Sequence, residues 1–337
     1  MAINIYGDIT PRTAGFAVAR LLERGQHLMT TERFGQIDTQ PKNKTKTRTY
    51  RRYLSLARAT SPLAEGVSPT GKLLSYVDIE CILEQYGDLV YVTDVIIDTH
   101  TDKVLMATMD IIGEQAAETV EELRIDVLKA GTNVFYANGA LTRAAVNSPL
   151  VRGDIRRVYR AFKRHKAKTI STIISATPNV ATEPVAEGYF AMGHTDLDSD
   201  LRGITGFVPV EQYSNAMKAL PGEVGKIETC RFILTGMFDP WDAAGTAGTT
   251  YLSGGDAPGS SLAADVYPII FVARDAYAIV PLQGQGSITP MVHNPTPVIG
   301  DALAQKGFVS WKTMQTAVIL NQQWIARAEV AATANPA

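Results

Sequence analysis

The stretch KNKTKTRTYRRY, residues 42–53, contains six basic residues and no acidic one. Five of these cations stand at positions of the same parity, at Lys42, Lys44, Lys46, Arg48 and Arg52. Successive side chains of a β-strand point to opposite faces, so this alternation predicts a strand with one basic face. A disordered arm that grips nucleic acid would have no need of that period.

The sequence after this strand predicts a long, exposed excursion of strands that folds back on itself. Residues 59–74, ATSPLAEGVSPTGKLL, are rich in turn-forming residues. Residues 75–98, SYVDIECILEQYGDLVYVTDVIID, read as two β-rich runs separated by a Gln-Tyr-Gly-Asp break.

The clearest single element is a helix over residues 109–130, MDIIGEQAAETVEELRIDVLKA, which Gly131 ends. Its apolar residues recur at helical spacing and form one stripe, at Ile112, Ala116, Val120, Leu123 and Val127. Four acidic residues lie off this stripe, at Glu114, Glu118, Glu121 and Glu122. On a helix surface, such a cluster indicates a face that contacts solvent or another subunit.

A second amphipathic helix is predicted over residues 150–166. Its apolar face consists of Ile155, Val158, Tyr159 and Phe162. Basic residues cover the other side, at Arg156, Arg157, Arg160, Lys163 and Arg164. A shorter helix is predicted over residues 10–25, with Thr10 as its cap and Pro11 in its first position.

The rest of the chain favours an α+β fold. Residues 169–178 predict a buried strand, and short strands and helices then alternate irregularly to about residue 290. Residues 242–266 are rich in Gly, Ala and Ser and predict an exposed, mobile loop. Strands near the C-terminus are predicted to complete a core begun elsewhere, through Val309, Trp311, Met314, Ala317, Ile319 and Trp324.

Composition narrows the class of protein. The 337 residues carry 32 Lys+Arg against 34 Asp+Glu, whereas a dedicated DNA-binding protein would usually be more basic. Cys81 and Cys230 stand far apart in apolar contexts, which favours buried free thiols in a reducing compartment. The first residues resemble no signal peptide, and no apolar run reaches the ~18 residues of a membrane span. We expect a soluble protein with no membrane association.

Catalytic motifs are not evident in the sequence, and no cofactor is implied. The run His194-Thr195-Asp196-Leu197-Asp198 could hold a divalent metal, since imidazole and carboxylates at alternate positions can converge. The simpler interpretation is that it ends a strand and caps the next helix through Asp196 or Asp198. We therefore expect a protein that is not an enzyme.

The order of these motifs resembles that of the major capsid proteins of tailed bacteriophages, in the N-four-like branch. The matching segments are HLMTTERFGQIDTQ, the RRY strand, PLAEGVSPTG, QYGDLVYVTDV, GEQAAETVEELRIDVLKAGTNVFYANG, PGEVGKIETCRF and the terminal GDALAQKGFVSWKTMQTAVILNQQWIARAEVA. The resemblance covers most of the chain in one order, and it implies the Hong Kong 97-like capsid fold.

That resemblance also implies a division into regions. Residues 1–38 would be an N-terminal arm and 39–98 an extended loop lying over a neighbour. Residues 99–168 and 300–337 would form a peripheral domain with the 109–130 helix as its spine. Residues 169–299 would form an axial domain that carries the 242–266 loop.

The implied function is that of a structural subunit, which self-assembles into hexamers and pentamers of an icosahedral head around double-stranded DNA. The subunit would be made in the bacterial host cytoplasm and reside in the virion, with scaffolding, portal and decoration proteins as further partners. The hypothetical contact between copies joins the basic residues at 42–52 to the acidic ones at 114–122. The basic helix at 152–165 would face the genome without sequence preference.

Three other functions remain open at this point. An encapsulin-like nanocompartment shell would share the fold but enclose an enzyme instead of DNA. A metal-dependent hydrolase would use His194, Asp196 and Asp198. A sequence-independent DNA-binding protein would bind duplex as a monomer, with a steep dependence on salt.

Overall fold

The computed structural model describes residues 29–62, 65–66, 68, 70–95, 104–175, 181–213, 219–247, 250–253, 263–283, 288–293, 303 and 305–334. The predicted helix at 10–25 lies outside these residues, as does the middle of the 242–266 loop. The described ends of that loop are exposed only in part: Asp242, Ala243, Thr246, Ala247 and Thr250 are exposed, whereas Ser253 and Ala264 are buried.

Within these residues, the helices are α1 (Val104–Lys129), α2 (Arg152–Arg164) and α3 (Asp198–Arg202). The strands, in chain order, are β1 (Gln36–Ile37), β2 (Thr47–Tyr53), β3 (Tyr76–Ile82), β4 (Glu84–Thr93), β5 (Val134–Tyr136), β6 (Ile170–Ser175), β7 (Ala181–Gly193), β8 (Phe207–Pro209), β9 (Glu223–Ile227), β10 (Cys230–Leu234), β11 (Val266–Val272), β12 (Tyr277–Pro281), β13 (Thr289–His293), β14 (Lys306–Ile319) and β15 (Ile325–Ala331).

These strands form a hairpin and two larger sheets. The hairpin pairs β2 with β3 in antiparallel fashion. An eight-stranded sheet has the order β5-β15-β11-β7-β10-β9-β8, with β6 also paired to β7. A five-stranded sheet has the order β1-β12-β14-β13, and β4 pairs with β14. Few helices and many strands confirm the predicted α+β class.

The five-stranded sheet is built around β14, the longest strand described. Gln315 lies opposite both Pro281 of β12 and Glu84 of β4, so those two strands flank β14 on opposite edges. Side chains buried against α1 recur with period two along β14, at Val309, Trp311, Thr313, Gln315 and Ala317. β15 begins six residues after β14 ends and joins the other sheet, so the C-terminal strands connect the two sheets.

Helix α1 starts earlier than predicted and ends at Lys129, directly before the predicted stop. Ile112, Ala116 and Val120 of the predicted stripe are buried against the five-stranded sheet. Towards the end of the helix, Ile125 and Leu128 enter a core cluster with the eight-stranded sheet. The helix thus packs against both sheets, which explains why its buried arc is wider than one stripe.

The eight-stranded sheet is buried on both faces. Every residue of β10 and β11 is buried, which is the pattern of a strand covered on two sides. One face packs on α2 through Ile155, Val158 and Phe162, and this confirms the apolar face predicted for that helix. The other face packs on the end of α1 and on Phe34, whose ring stacks on that of Phe190 at 4.4 Å between centroids.

The predicted break at Gln-Tyr-Gly-Asp is wrong. These four residues lie inside β4, and the break between β3 and β4 falls two residues before Gln85, at the fully buried Leu83. Gly87 is needed there for close approach, since a Cβ atom would lie 2.6 Å from the carbonyl oxygen of Trp311. A glycine that looks like a turn signal in the sequence is a packing requirement in the sheet.

The predicted boundaries of the peripheral and axial domains do not coincide with the sheets. β12, inside the 169–299 range, belongs to the five-stranded sheet, while β15, inside 300–337, belongs to the eight-stranded one. α2, which falls in the 99–168 range, also packs on the eight-stranded sheet. Of the helices described, none is long and apolar enough to cross a membrane.

Candidate assembly surfaces

The hairpin of β2 and β3 presents an unusual number of large apolar side chains to solvent. Leu73 is 94% exposed, and the exposed set continues through Tyr53, Leu54, Leu56, Leu74 and Tyr76. Isolated exposed apolar residues are ordinary, but a contiguous group on one projection marks an interaction surface. This surface comes from the segment that the sequence predicted to be an exposed excursion.

The hairpin is stiffened by contacts between its own strands. The Arg51 guanidinium donates to both carboxylate oxygens of Asp78, at 2.8 and 2.9 Å, and lies 4.2 Å from the centre of the Tyr76 ring. The hydrogen bond from Arg51 holds the pKa of the Asp78 carboxyl below its ordinary value. Cross-strand pairs of this kind fix the register of a two-stranded ribbon.

The alternation of residues 42–53 is only partly realised as a strand. β2 begins at Thr47, so Lys42, Lys44 and Lys46 precede it in turns and bends. We call residues 42–46 the basic turn; all five are exposed. Asn43 at its tip has φ +61°, the left-handed region that asparagine tolerates better than most residues.

Inside β2, burial alternates with a period of two. The face that carries Arg48 and Arg52 is the half-buried one. Arg48, Tyr50 and Arg52 are the half-buried positions, whereas Arg51 and Tyr53 are exposed. Arg48 forms an ion pair with Asp38 and donates to Gln40 Oε1 at 3.3 Å. Both Arg48 and Arg52 therefore face their own subunit, which corrects the expectation that they belong to an outer basic face.

The acidic face predicted on α1 also needs one correction. Glu118 and Glu122 are exposed and Glu114 is half-buried, but Glu121 is fully buried. Its carboxylate accepts hydrogen bonds from the backbone N–H groups of Thr30 and Thr31, at 2.9 and 2.8 Å, and from the Thr31 hydroxyl at 2.7 Å. Glu121 is thus a structural anchor and not part of the surface.

Glu121 fixes Thr30 and Thr31 against α1. Burial raises the pKa of its carboxyl, although the nearby Arg124 and the hydrogen bonds from Thr31 act in the opposite direction. The Tyr277 hydroxyl donates to the carbonyl oxygen of Thr31. The sequence spacing could have indicated that Glu121 is buried, because it is one position from Val120 on the buried stripe and four from the buried Ala117.

The basic residues of α2 divide into two groups. Arg156 bonds Glu228, and Arg157 bonds Asp154 at 3.2 Å, so these cations are partly neutralised within the subunit. Arg160, Lys163 and Arg164 are exposed, and the part of the chain that is described offers none of them an acidic partner. The part of the predicted basic face that has no acidic partner among the described residues is therefore its C-terminal half.

His194, Asp196 and Asp198 are not brought together as a metal centre. His194 Nδ1 accepts the backbone N–H of Asp196, Asp196 accepts the Tyr267 hydroxyl at 2.8 Å, and Asp198 pairs with Arg202. His194, and not either aspartate, is the N-cap of the short 3-10 helix that follows, Thr195–Leu197. No group of three or more potential ligands is found in the described ranges. Cys81 and Cys230 are free and buried, and burial raises the pKa of the Cys230 thiol to about 12.

A family model described as "Phage capsid protein" matches residues 78–308, more than half of the chain. The chain belongs to the phage capsid protein family. It is a major capsid protein, and the resemblance to tailed-phage capsid subunits noted in its sequence is confirmed. No curated protein sequence matches the chain significantly.

Solved structures show the fold of the capsid protein. The capsid of Ralstonia phage GP4 superposes with a TM-score of 0.65 at 13% identity, covering 89% of this chain and 90% of that one. The cyanophage Pam1 capsid gives 0.58 at 14% identity, covering 88% and 89%. The head of Helicobacter pylori bacteriophage KHP40 gives 0.57 at 11% identity, covering 90% and 88%. The Hong Kong 97-like fold predicted from the sequence is thus confirmed.

Proposed function

We propose that the capsid protein assembles into hexamers and pentamers of an icosahedral head that encloses double-stranded DNA. The observation that carries this proposal is the projecting hairpin, whose large apolar side chains have no cover within the described subunit. A protein that stayed monomeric would rarely keep such a surface in water. Assembly with further copies covers it.

Closed rings of identical subunits need heterologous contacts, in which one surface meets a different surface of the next copy. The capsid protein offers two oppositely charged surfaces of this kind. The basic turn supplies Lys42, Lys44 and Lys46, and the outer face of α1 supplies Glu118 and Glu122. Complementary charge sets the register and choice of partner more than it adds affinity.

The regional assignments follow from this proposal. Residues 1–38 act as an N-terminal arm, which Glu121 anchors at Thr30 and Thr31. Residues 39–98 act as the extended loop over a neighbour. The remaining strands of the five-stranded sheet, with α1, serve as the peripheral domain. The eight-stranded sheet, with α2, serves as the axial domain around the five-fold and six-fold positions. The sheet memberships of β5, β12, β13 and β15 and the packing of α2 support moving these elements between the two domains.

We assign the genome-facing role to the C-terminal half of α2. Arg160, Lys163 and Arg164 are exposed there without acidic partners among the described residues. A few such contacts in each of many copies hold DNA without reading its sequence, because phosphate contacts carry no sequence information. Subunits made in the host cytoplasm would meet scaffolding and portal proteins before DNA enters, and decoration proteins afterwards.

The test is negative-stain electron microscopy of the expressed capsid protein, alone and co-expressed with a candidate scaffolding protein. We expect uniform shells tens of nanometres across, and nuclease-protected DNA in particles recovered from infected cells. Shells that enclose a protein instead of DNA would favour the nanocompartment alternative. A subunit that remains monomeric under all these conditions would contradict the proposal.

A further inference from the structure

A cavity of about 340 Å³ opens on the surface between α1, the junction of β3 and β4, and β14. Its apolar lining comes from all of these elements, through Ile82, Leu123, Val127 and Ala317. The cavity exists because β4 stops at Glu84, opposite Gln315, while β14 continues to Ile319. Among the described residues, no strand pairs with β14 beyond Gln315 on this side.

Arg124 and Gln315 form the buried part of the cavity wall. Arg124 donates through Nη2 to Gln315 Oε1 at 2.9 Å and approaches Glu32 with Nη1 at 3.5 Å. Its Nε, like Nε2 of Gln315, has no hydrogen-bond partner in the described part of the subunit, but both nitrogen atoms are buried within the wall and closed to a ligand. The surface that an occupant can reach is therefore the apolar lining and the mouth.

The mouth of the cavity is acidic. Glu84 and Asp126 both line it and are exposed. Glu84 Oε2 also accepts the Tyr86 hydroxyl at 2.7 Å, which holds its carboxylate at the mouth. The complementary occupant is therefore a segment with a small side chain between cations, so that the side chain enters and the charges stay at the mouth.

The basic turn has this arrangement. Asn43 stands at its tip between Lys42 and Lys44, and no hydrogen bond to the Asn43 side chain is found within the described residues. The turn does not line the cavity of its own subunit. It is held to the hairpin base, where Lys46 O accepts the N–H of Leu83 and Thr45 O accepts Gln40 Nε2, both at 3.0 Å.

We propose that this cavity receives the basic turn of a second copy. The Asn43 side chain enters the cavity, while Lys42 and Lys44 pair with Glu84 and Asp126. The contact is heterologous, because each copy contributes its turn to one neighbour and its cavity to another. The inference rests on the proposed self-assembly and changes one part of it, since the receiving carboxylates are Glu84 and Asp126 and not the outer face of α1.

Disulfide trapping tests the geometry in assembled particles. The pair Asn43→Cys with Asp126→Cys is compared with the matched pair Asn43→Cys with Glu118→Cys, whose second site lies on the same helix about 12 Å away. After mild oxidation, we expect a ladder of linked subunits on non-reducing gels from the first pair alone. A ladder from the Glu118 pair, or from neither pair, would overturn the inference. Native Cys81 and Cys230 are buried and serve as the background.

A charge exchange tests the pairing independently. We expect Glu84→Lys with Asp126→Lys to lower the particle yield about tenfold or more, and Lys42→Glu with Lys44→Glu to do the same. Combining all four changes in one chain should restore particles, since each copy then carries both reversed surfaces. Circular dichroism of the unassembled subunits checks that each variant folds.

Different results would contradict the proposed function and the proposed contact at the cavity. Wild-type subunits that form no shell under any condition would contradict the proposed function. Normal shells from either single exchange, or no recovery in the combined variant, would contradict this inference while leaving the proposed function intact.

Discussion

The hairpin and the eight-stranded sheet show two ways of using a β-strand. β2 and β3 are largely exposed, and their pairing depends on each other and on the Arg51–Asp78 contact. β10 and β11 are buried throughout and covered on both faces. We call the two larger sheets with their helices the body. The body therefore contributes most of the folding free energy, whereas the hairpin presents apolar and charged groups for contacts outside the subunit.

The largest effect should come from the body. Phe271→Ala removes a fully buried ring that packs edge-on against Phe232, with centroids 6.0 Å apart. We expect a loss of about 3–5 kcal/mol in the free energy of unfolding, measured by urea denaturation of the unassembled subunit. Leu73→Ala in the hairpin is the matched control and should change it by less than about 0.5 kcal/mol. Equal losses would contradict the division between body and hairpin.

The second largest effect should come from Glu121, which anchors Thr30 and Thr31. Glu121→Ala leaves the N–H groups of Thr30 and Thr31 without their acceptor and removes a charge beside the buried Arg124. We expect the free energy of unfolding to fall by about 3 kcal/mol and proteolysis near residue 30 to become faster. The exposed neighbour Glu122→Ala is the control. A Glu121 variant as stable as the Glu122 variant would show that the anchor is unimportant.

Substitutions of the cations in the basic turn should affect assembly, whereas substitution of a cation in β2 should affect the stability of the subunit. Changing Lys42, Lys44 and Lys46 together to Glu should abolish shells while altering the free energy of unfolding by less than about 0.5 kcal/mol, since all three are exposed. Arg48→Glu should destabilise the subunit itself, because Arg48 pairs with Asp38. Electron microscopy and urea denaturation distinguish the two. Normal shells from the triple variant would remove the basic turn from assembly.

The smallest effect concerns the body's surface. Hydrogen bonds from Arg156 and Arg152 lower the pKa of the Glu228 carboxyl. This pairing therefore stabilises the fold above the unfolded pKa of about 4.3, and its contribution is lost as the pH falls through the lower folded value. Because the groups are largely exposed, we expect less than about 0.5 kcal/mol. Thermal unfolding of wild type and Glu228→Gln should converge below pH 4; curves that stay parallel would contradict this.

Local periodicity predicted part of this architecture. The stripe of α1 and the apolar face of α2 each depend on near neighbours in sequence; the structure buries the first three residues of that stripe and packs the predicted face of α2 on the eight-stranded sheet. The order of motifs supplied the fold. These features are visible in sequence because a helix or a half-buried strand repeats its contacts at a fixed period.

What sequence reasoning missed depends on partners far along the chain. Glu121 is buried because Thr30 and Thr31, some 90 residues earlier, cover it. Gly87 sits inside a strand because Trp311 approaches its backbone closely. The basic alternation was read correctly as a strand from Thr47 onward, but which face points outward depended on Asp38 and Gln40. No local pattern contains that information.

The ladder between β4 and β14 has a mechanical consequence. Ten residue pairs, from Lys306↔Thr93 to Gln315↔Glu84, join the root of the hairpin to the strand at the centre of the five-stranded sheet. A pull on the hairpin along this direction loads the hydrogen bonds in shear, so they resist together instead of opening one after another. Tension from the shell would thus pass through β14 towards β15, and a stretched shell would strain the subunit interiors before its hairpins tore loose.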